Sequence, residues 1–404
     1  MKAEWKKNKL GDVLAVLRNG VNCKQDKDGK GEKISRIESI AGATFNPERV
    51  GYAALSTTEK DRYRLQPGDI LFSHINSTIH VGKTAIFDSD AEVYHGVNLL
   101  LMRPKPDVAP AYLNYALKLL FQSGYWKRTC KQSVNQASVN QQDISKVEIQ
   151  YPQSIEEQHR IVAILDDAFD GIATARTHAE QNLQNARALF GSQLQAVFSQ
   201  RGEGWVEKPI ASLCQRLHQG LNTAGEKIKF AETGYPIIQT RNIDEGIVDL
   251  DHKMKFMSED DWIFYRDKYR PEIGDVFFTN IGTIGKTAIV TEERDYLIHW
   301  NIFKLRPHFD LINPAYLRYA LEQLTLSGYF KRMQKGGTVD FVTKKMISEA
   351  TLPLPSMATQ AEIVCQLDDL REETINLEAL YQRKLVALDE LKQSLLHQAF
   401  SGSL

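Results

Sequence analysis

The sequence predicts an α+β protein: two tandem mixed α/β domains separated by two long helices that form an antiparallel coiled coil. Three observations predict it. The 404 residues repeat themselves at an interval of about 200. Each repeat begins with β-rich runs set between Pro/Gly turns, and each ends in a long segment without proline.

The repeat is legible residue by residue. Trp5, Leu10, Val13, Gly20 and Asn22 return as Trp205, Ile210, Leu213, Gly220 and Asn222, and Gly68-Asp69 returns as Gly274-Asp275. Lys83-Thr84-Ala85-Ile86 matches Lys286-Thr287-Ala288-Ile289, and Pro110-Ala111-Tyr112-Leu113 matches Pro314-Ala315-Tyr316-Leu317. Ser123-Gly124-Tyr125-Trp126-Lys127-Arg128 matches Ser327-Gly328-Tyr329-Phe330-Lys331-Arg332. Solenoid units repeat every 20 to 50 residues or so, so this much longer period means two whole domains, each with room for its own core.

Within each half, the strand-like runs Asp69-Ile70-Leu71-Phe72-Ser73 and Asp275-Val276-Phe277-Phe278-Thr279 follow the turns Gln66-Pro67-Gly68 and Pro271-Glu272-Ile273-Gly274. Helices of moderate length start at Pro110 and Pro314, where the missing proline donor does no harm. Two long helices come after Tyr151-Pro152 and Pro353-Leu354-Pro355. In the second, Ile363, Leu367, Leu370, Leu377, Tyr381, Leu388, Leu391 and Leu395 alternate steps of three and four, with Thr374 and Lys384 filling two seam positions. The first has a seam rich in small residues: Ile161, Leu165, Phe169, Ile172, Ala179, Leu183, Ala186, Phe190, Leu194 and Val197. Each helix finds its partner in the other or lies across its own domain. The expected boundaries are 1–153 and 203–356 for the domains, with 154–202 and 357–404 for the helices.

Composition narrows the function. The start, Met1-Lys2-Ala3-Glu4-Trp5-Lys6-Lys7, lacks the apolar core of a signal peptide, and no run approaches membrane-spanning length, so the expected location is cytoplasmic. Cys23, Cys130, Cys214 and Cys365 lie far apart and outside metal-ligand spacing, which indicates neither zinc nor a disulfide framework. The net charge is −1, but residues 1–150 carry 22 Lys+Arg against 16 Asp+Glu while residues 356–404 carry 4 against 8. That asymmetry suits globular parts that meet phosphate and helices that meet protein, and a solvated mixed surface gives similar sums.

Gly82-Lys83-Thr84 and Gly285-Lys286-Thr287 imitate the end of a phosphate-binding P-loop, but Ser77 and Asn280 stand where its first glycine is needed. No methyltransferase Asn/Asp-Pro-Pro-aromatic motif, His-Glu-x-x-His or Gly-x-Ser-x-Gly is present, so no catalytic residue is assigned. Two polar clusters remain. After the central strand, Ser73, His74, Asn76, Ser77 and Lys83 match Thr279, Asn280, Thr283 and Lys286, short hydrogen-bonding side chains able to read base edges or simply to cap a turn. Lys127, Arg128 and Lys131 match Lys331, Arg332, Lys335 and Thr338, a backbone clamp or a solvated helix end. Arg36 and Arg241 follow β-like runs and are further phosphate candidates.

Taken together, these residues resemble the specificity subunit of type I restriction-modification systems over essentially the whole chain. The signature is the Gly-Asp strand with its Ser/Thr-rich turn, the Pro-Ala-Tyr-Leu helix, the Ser-Gly-Tyr-aromatic segment and the Gln-x-x-Ile-Val start of each long helix. The resemblance implies a non-enzymatic chain whose mixed segments are target recognition domains for the two halves of a bipartite double-stranded DNA site. It further implies that the helices space these domains and dock two methyltransferase (modification) subunits, through Gln158, Ile161, Val162 and Leu165 and through Gln360, Ile363, Val364 and Leu367. Restriction/translocase subunits complete such systems. No cofactor is expected in this chain: S-adenosylmethionine, ATP and Mg²⁺ belong to the partner subunits, and no membrane is involved. A self-sufficient methyltransferase or nuclease, and a coiled-coil scaffold that never meets DNA, are the readings of other classes.

If the helices act as a ruler, inserting four residues after Gln181 adds about 6 Å at 1.5 Å per residue and nearly preserves the helix face. The recognised spacer should then lengthen by one or two base pairs of about 3.4 Å, with both half-sites unchanged. Mapping methylated bases in cells carrying the variant checks this, and an unaltered spacer in an active variant refutes the ruler.

Overall fold

The computed structural model describes residues 4–26, 28–133, 136–200, 202–244, 246–251, 253–333 and 341–404. The chain forms two compact units, residues 1–179 with 383–404 and residues 180–382. The long helices run over Ile155–Ser199 and Met357–Ser401. Each therefore gives its beginning to one unit and its end to the other, while the expected domains 1–153 and 203–356 each lie within one unit.

In the first unit a four-stranded antiparallel sheet has the order Leu14–Asn19, Leu100–Pro104, Asp69–Phe72, Thr84–Phe87. All four residues of Asp69–Phe72 are buried because both faces of the sheet are covered. Ile70 and Phe72 face the helix Pro110–Gln122 with Tyr112, Leu113 and Leu117, while Leu71 meets Leu65, Val93 and Leu99 on the other side. The second unit repeats the plan with Cys214–Gln219, Ile302–Pro307, Val276–Thr279 and Thr287–Ile289 under the helix Pro314–Leu326.

The repeated Gly-Asp is a turn followed by an anchor. Gly68 and Gly274 take φ of 91° and 85°, a region open to glycine at no steric cost. The aspartates that follow are each 1% exposed. Asp69 receives Arg103 in a fork, at 2.6 and 2.8 Å, and Asp275 receives Arg306 at 3.3 Å. The false P-loop ending has a packing origin too: Gly82 and Gly285 have φ of 91° and 88°, and a Cβ at either would lie 2.2 Å from Trp126 or Thr325.

Each long helix begins beside a two-stranded ribbon, Trp5–Lys9 with Glu148–Pro152 and Val206–Pro209 with Thr351–Leu354. Ser154 and Ser356 accept from the Glu157 and Thr359 amides at 3.2 Å, satisfying donors that the first turn leaves open. One turn in, Gln158 is fully buried. Its oxygen accepts from the Ala109 amide at 2.7 Å, and its nitrogen donates to the Asp107 and Pro152 carbonyls at 3.0 and 2.9 Å. Gln360 does the same with the Asn313 amide and the Leu311 and Pro355 carbonyls, at 2.8, 3.1 and 3.0 Å. Ile161, Val162 and Leu165, and Ile363 and Leu367, are buried in the cores of their own units, with Val364 packed against one of them. Seven of the eight residues expected to dock a partner are thus enclosed in the cores of their own units, and Val364 is half-buried. Their repetition goes with the attachment of a helix to its domain.

Within each unit the two helix stretches are antiparallel. In the first, Arg160 donates to the Leu404 carbonyl at 3.0 Å and Arg176 pairs with Asp389; in the second, Arg187 meets Glu378 at 3.0 Å. The first helix keeps its expected seam, with every member from Ile161 to Val197 buried except the partly buried Phe169. The second departs from its heptad. Leu391 is 47% exposed, while Leu396 and Ala399 are buried among the first unit's core residues. A straight helix drifts from a 3.5-residue repeat, and its last turns pack on a domain, where the seam no longer selects the face. Phe400 thus meets Tyr112 with ring centroids 4.9 Å apart, and Phe198 meets Tyr316 at 5.1 Å in the second unit.

Gln158→Ala and Gln360→Ala should each destabilise the chain by about 3 kcal/mol, because a buried amide and two carbonyls lose their partner. Urea unfolding measures this. A variant of unchanged stability that no longer captures a partner subunit would return these glutamines to docking.

Candidate nucleic-acid interface

The two polar clusters of each half are parts of one surface. In the first unit Ile75–Asn76 pairs with Gln136–Ser138, which pairs in turn with Lys131–Ser133. The turn after the central strand is therefore hydrogen-bonded to the chain that follows the basic helix Tyr125–Thr129. The second unit joins the same segments, with Ile281 bridging Phe341 and the Val342 amide donating to the Asn280 carbonyl at 2.9 Å. Val139 does likewise to the His74 carbonyl, also at 2.9 Å.

The repeated Ser-Gly-Tyr-aromatic segment holds this surface to the core. Gly124 and Gly328 take φ of 72° and 71°, and the buried Trp126 and Phe330 rings lie 5.0 and 5.2 Å from Phe72 and Phe278 of the central strands. Arg128 and Arg332 donate to the Ser123 and Ser327 carbonyls at 2.7 and 2.6 Å, closing the helix ends before them. These two arginines are consequently fixtures of the fold as well as exposed cations. Lys127, Lys131 and Lys331 are exposed and form no ion pair among the described residues. Lys335 and Thr338 lie outside the described residues.

Several expected base readers point inward. Ser73, His74, Thr279 and Asn280 are 1%, 6%, 0% and 2% exposed. Thr279 donates to the Thr283 carbonyl at 2.6 Å and accepts from the Lys286 amide at 2.9 Å, which makes it the clasp of its turn. These four are enclosed as supports of the turn: both faces of the sheet are covered, so consecutive residues at the end of the central strand are buried alike. Asn76 and Ser77 are half-buried, with Asn76 accepting from the Ser77 amide at 2.8 Å, and Thr283 is exposed. Lys83 donates to the Ala41 carbonyl at 3.1 Å, which brings the short helix Ile37–Ile40 to the turn and forms a small pocket between Ile37, Ala41, Asn76, His80 and Lys83. Lys286 pairs with Asp244 at 2.8 Å, joining its turn to the hairpin Ile243–Asp244 and Ile247–Val248. Arg36 and Arg241 are exposed, bonded to Glu38 at 3.3 Å and to Gln239 at 2.6 Å. Ile79 and Ile247, 63% and 69% exposed at these turns, escape a reading of the sequence because an apolar residue there reads as core.

Burial also sets the charge of the turn. It pushes the His74 imidazole down to about 4 and the neighbouring His95, fully buried, down to about 3, so both are neutral near pH 7.

Known proteins can be set beside this geometry. The family model for the type I restriction modification DNA specificity domain matches the chain twice, over residues 2–184 and 202–386. A putative type I restriction enzyme specificity subunit, MjaX, of Methanocaldococcus jannaschii is 41% identical over 180 residues, 44% of this chain and 42% of that protein. The EcoBI specificity subunit of Escherichia coli is 29% identical over 205 residues, 50% of this chain and 42% of its own length. The chain thus spans less than half the length of these curated relatives. Among solved structures, the HsdS subunit from Thermoanaerobacter tengcongensis superposes with a TM-score of 0.64 at 18% identity, over 99% of this chain and 97% of that one. A chain from a structure of type I R-M complex assembly and conformational transition gives 0.73 at 18%, over the whole of both. At such identity the likeness is one of fold.

His74→Asn, which installs the residue of the second unit, should flatten the acid side of the stability profile. The depressed imidazole contributes stability that is present above its ordinary value of about 6.5 and lost as pH falls towards 4. The variant's unfolding free energy should therefore decline less between pH 6.5 and 4, and a decline identical to that of the parent refutes the assignment.

Proposed function

Because the chain belongs to the type I restriction modification DNA specificity family, we propose that it is the non-catalytic subunit that selects the DNA address of such a system. Each unit reads one half of a bipartite duplex site. The observation that carries this is the duplicated surface, in which a polar turn is tied by backbone bonds to the chain that follows the basic helix, once in each unit. In this reading the half-buried Asn76 and Ser77 and the exposed Thr283 meet base edges, and the exposed Lys127, Lys131 and Lys331 meet phosphates. Methyl transfer with S-adenosylmethionine, and ATP-driven translocation with cleavage, are left to modification and restriction subunits. The outer faces of the paired helices, rather than the buried residues at their starts, are what remains for docking them. No described helix is long and apolar enough to cross a membrane.

Exchanging residues 204–355 for the matching segment of a relative should change one half-site and leave the other as it was. Methylome sequencing of cells carrying the chimera and modification subunits reads this directly, and a change in both halves refutes independent reading.

A further inference from the structure

A second set of repeated basic side chains lies away from the basic helices. In the first unit Arg18 stands on the outer strand opposite Leu101, and its guanidinium donates to the Arg62 carbonyl at the end of the helix Thr57–Tyr63. Arg18 and Arg62 both lie over Tyr63, 5.6 and 5.5 Å from the ring centroid. The second unit has His218 at the place of Arg18 and Lys268 at the place of Arg62, with Lys268 over Tyr269 at 5.0 Å. There Arg216, His218, Lys268, Lys304 and Arg306 converge on a pocket of about 290 Å³.

The acidic groups present do not balance them. Asp69 is engaged by Arg103, Asp275 by Arg306, Glu272 by Arg216 and Arg306, and Asp267 by Arg266. Arg18, Arg62, His218 and Lys268 form no ion pair among the described residues. Burial first, and neighbouring cations second, disfavour the charged forms of Arg18 and His218, which leaves His218 a hydrogen-bonding imidazole beside the cation Lys268 near pH 7. Burial, then Arg103 and Arg62, depress Arg18; burial, then Lys304, Lys344, Lys268 and Arg216, depress His218. The same unbalanced cluster occurs in two domains that differ at most positions, so it is no accident of one surface.

Both clusters also border the reading turn. Arg18 pairs with Leu101 and Leu101 with Leu71, two residues before Ser73 at the end of the central strand. His218 pairs with Lys304 and Lys304 with Phe277, two residues before Thr279. We propose that Arg18 with Arg62, and His218 with Lys268, bind phosphodiester groups of the DNA backbone just outside each half-site. This rests on the DNA-recognition reading above. Guanidinium and ammonium groups, helped by an adjoining ring, suit a diester oxyanion, and the next group along a duplex whose bases meet the turn is its phosphate backbone.

The test uses the full chain and duplexes bearing its mapped site, either cut at the half-site boundaries or extended by ten base pairs on each side. Arg62→Gln with Lys268→Gln removes two exposed cations that no described ion pair needs. The parent should bind the extended duplex more tightly. The double variant should lose that gain, bind roughly tenfold more weakly per cation near 0.1 M salt, and show a salt slope shallower by roughly 0.9 per phosphate, with its preference for the site unchanged. Arg62→Lys with Lys268→Arg should restore the slope. An unchanged slope and flank dependence in the folded double variant overturns the proposal, as does a changed base preference. Unaltered DNA binding with lost capture of a partner subunit also overturns it and gives the cluster to an acidic protein surface. If the parent itself prefers no sequence, the DNA-recognition reading falls first.

Discussion

Everything that distinguishes this chain from two unrelated domains depends on a buried glutamine side chain. Gln158 and Gln360, each in the first turns of a long helix, bind an amide and two carbonyls from two other segments: the loop before the proline-started helix and the end of the edge ribbon. A primary amide carries two N–H donors beside a carbonyl acceptor, so one neutral side chain can close all three bonds without burying charge. The angle at which each helix leaves its domain is set there, before any coiled-coil contact is made.

From that fixed start, the same sheet serves two purposes. One face takes the proline-started helix and the ends of the long helices, and the other packs a smaller cluster of its own. The proposed reading surface grows from the end of the central strand, braced by Trp126 or Phe330 from below and by backbone bonds to a distant segment at the side. The loop that must differ between half-sites is thus mounted on elements that do not differ. Sequence can change at Asn76 or Thr283 without disturbing the Gly-Asp turn, the buried ring or the glutamine.

Much of this is legible in the sequence because period and special geometry leave marks on single residues. The duplication, the seam of the first helix and the turns at Gly68 and Gly274 all follow from residue type and spacing alone. The orientation of the polar turn does not. Whether Ser73 or Asn76 faces outward depends on a bridge to Ala137 and Ser138, more than sixty residues away, and Thr279 is held by its own turn. The helix starts mislead for another reason: a motif repeated for packing reads the same as one repeated for docking, and only burial tells them apart. The basic side chains of the outer strand come from segments far apart in sequence and form no motif.

The crossed ends of the long helices have a consequence for genes that carry only half of such a chain. Leu194, Val197 and Phe198 complete the core of the second unit, and Leu396, Ala399 and Phe400 complete that of the first. A half-length product would expose its own helix end and would lack the one its domain needs. Because the halves are duplicates, the missing piece is on offer from a second copy of the same fragment. Truncation would then produce a twofold assembly with two identical reading surfaces, and an asymmetric address would become a palindrome by loss of DNA rather than by gain.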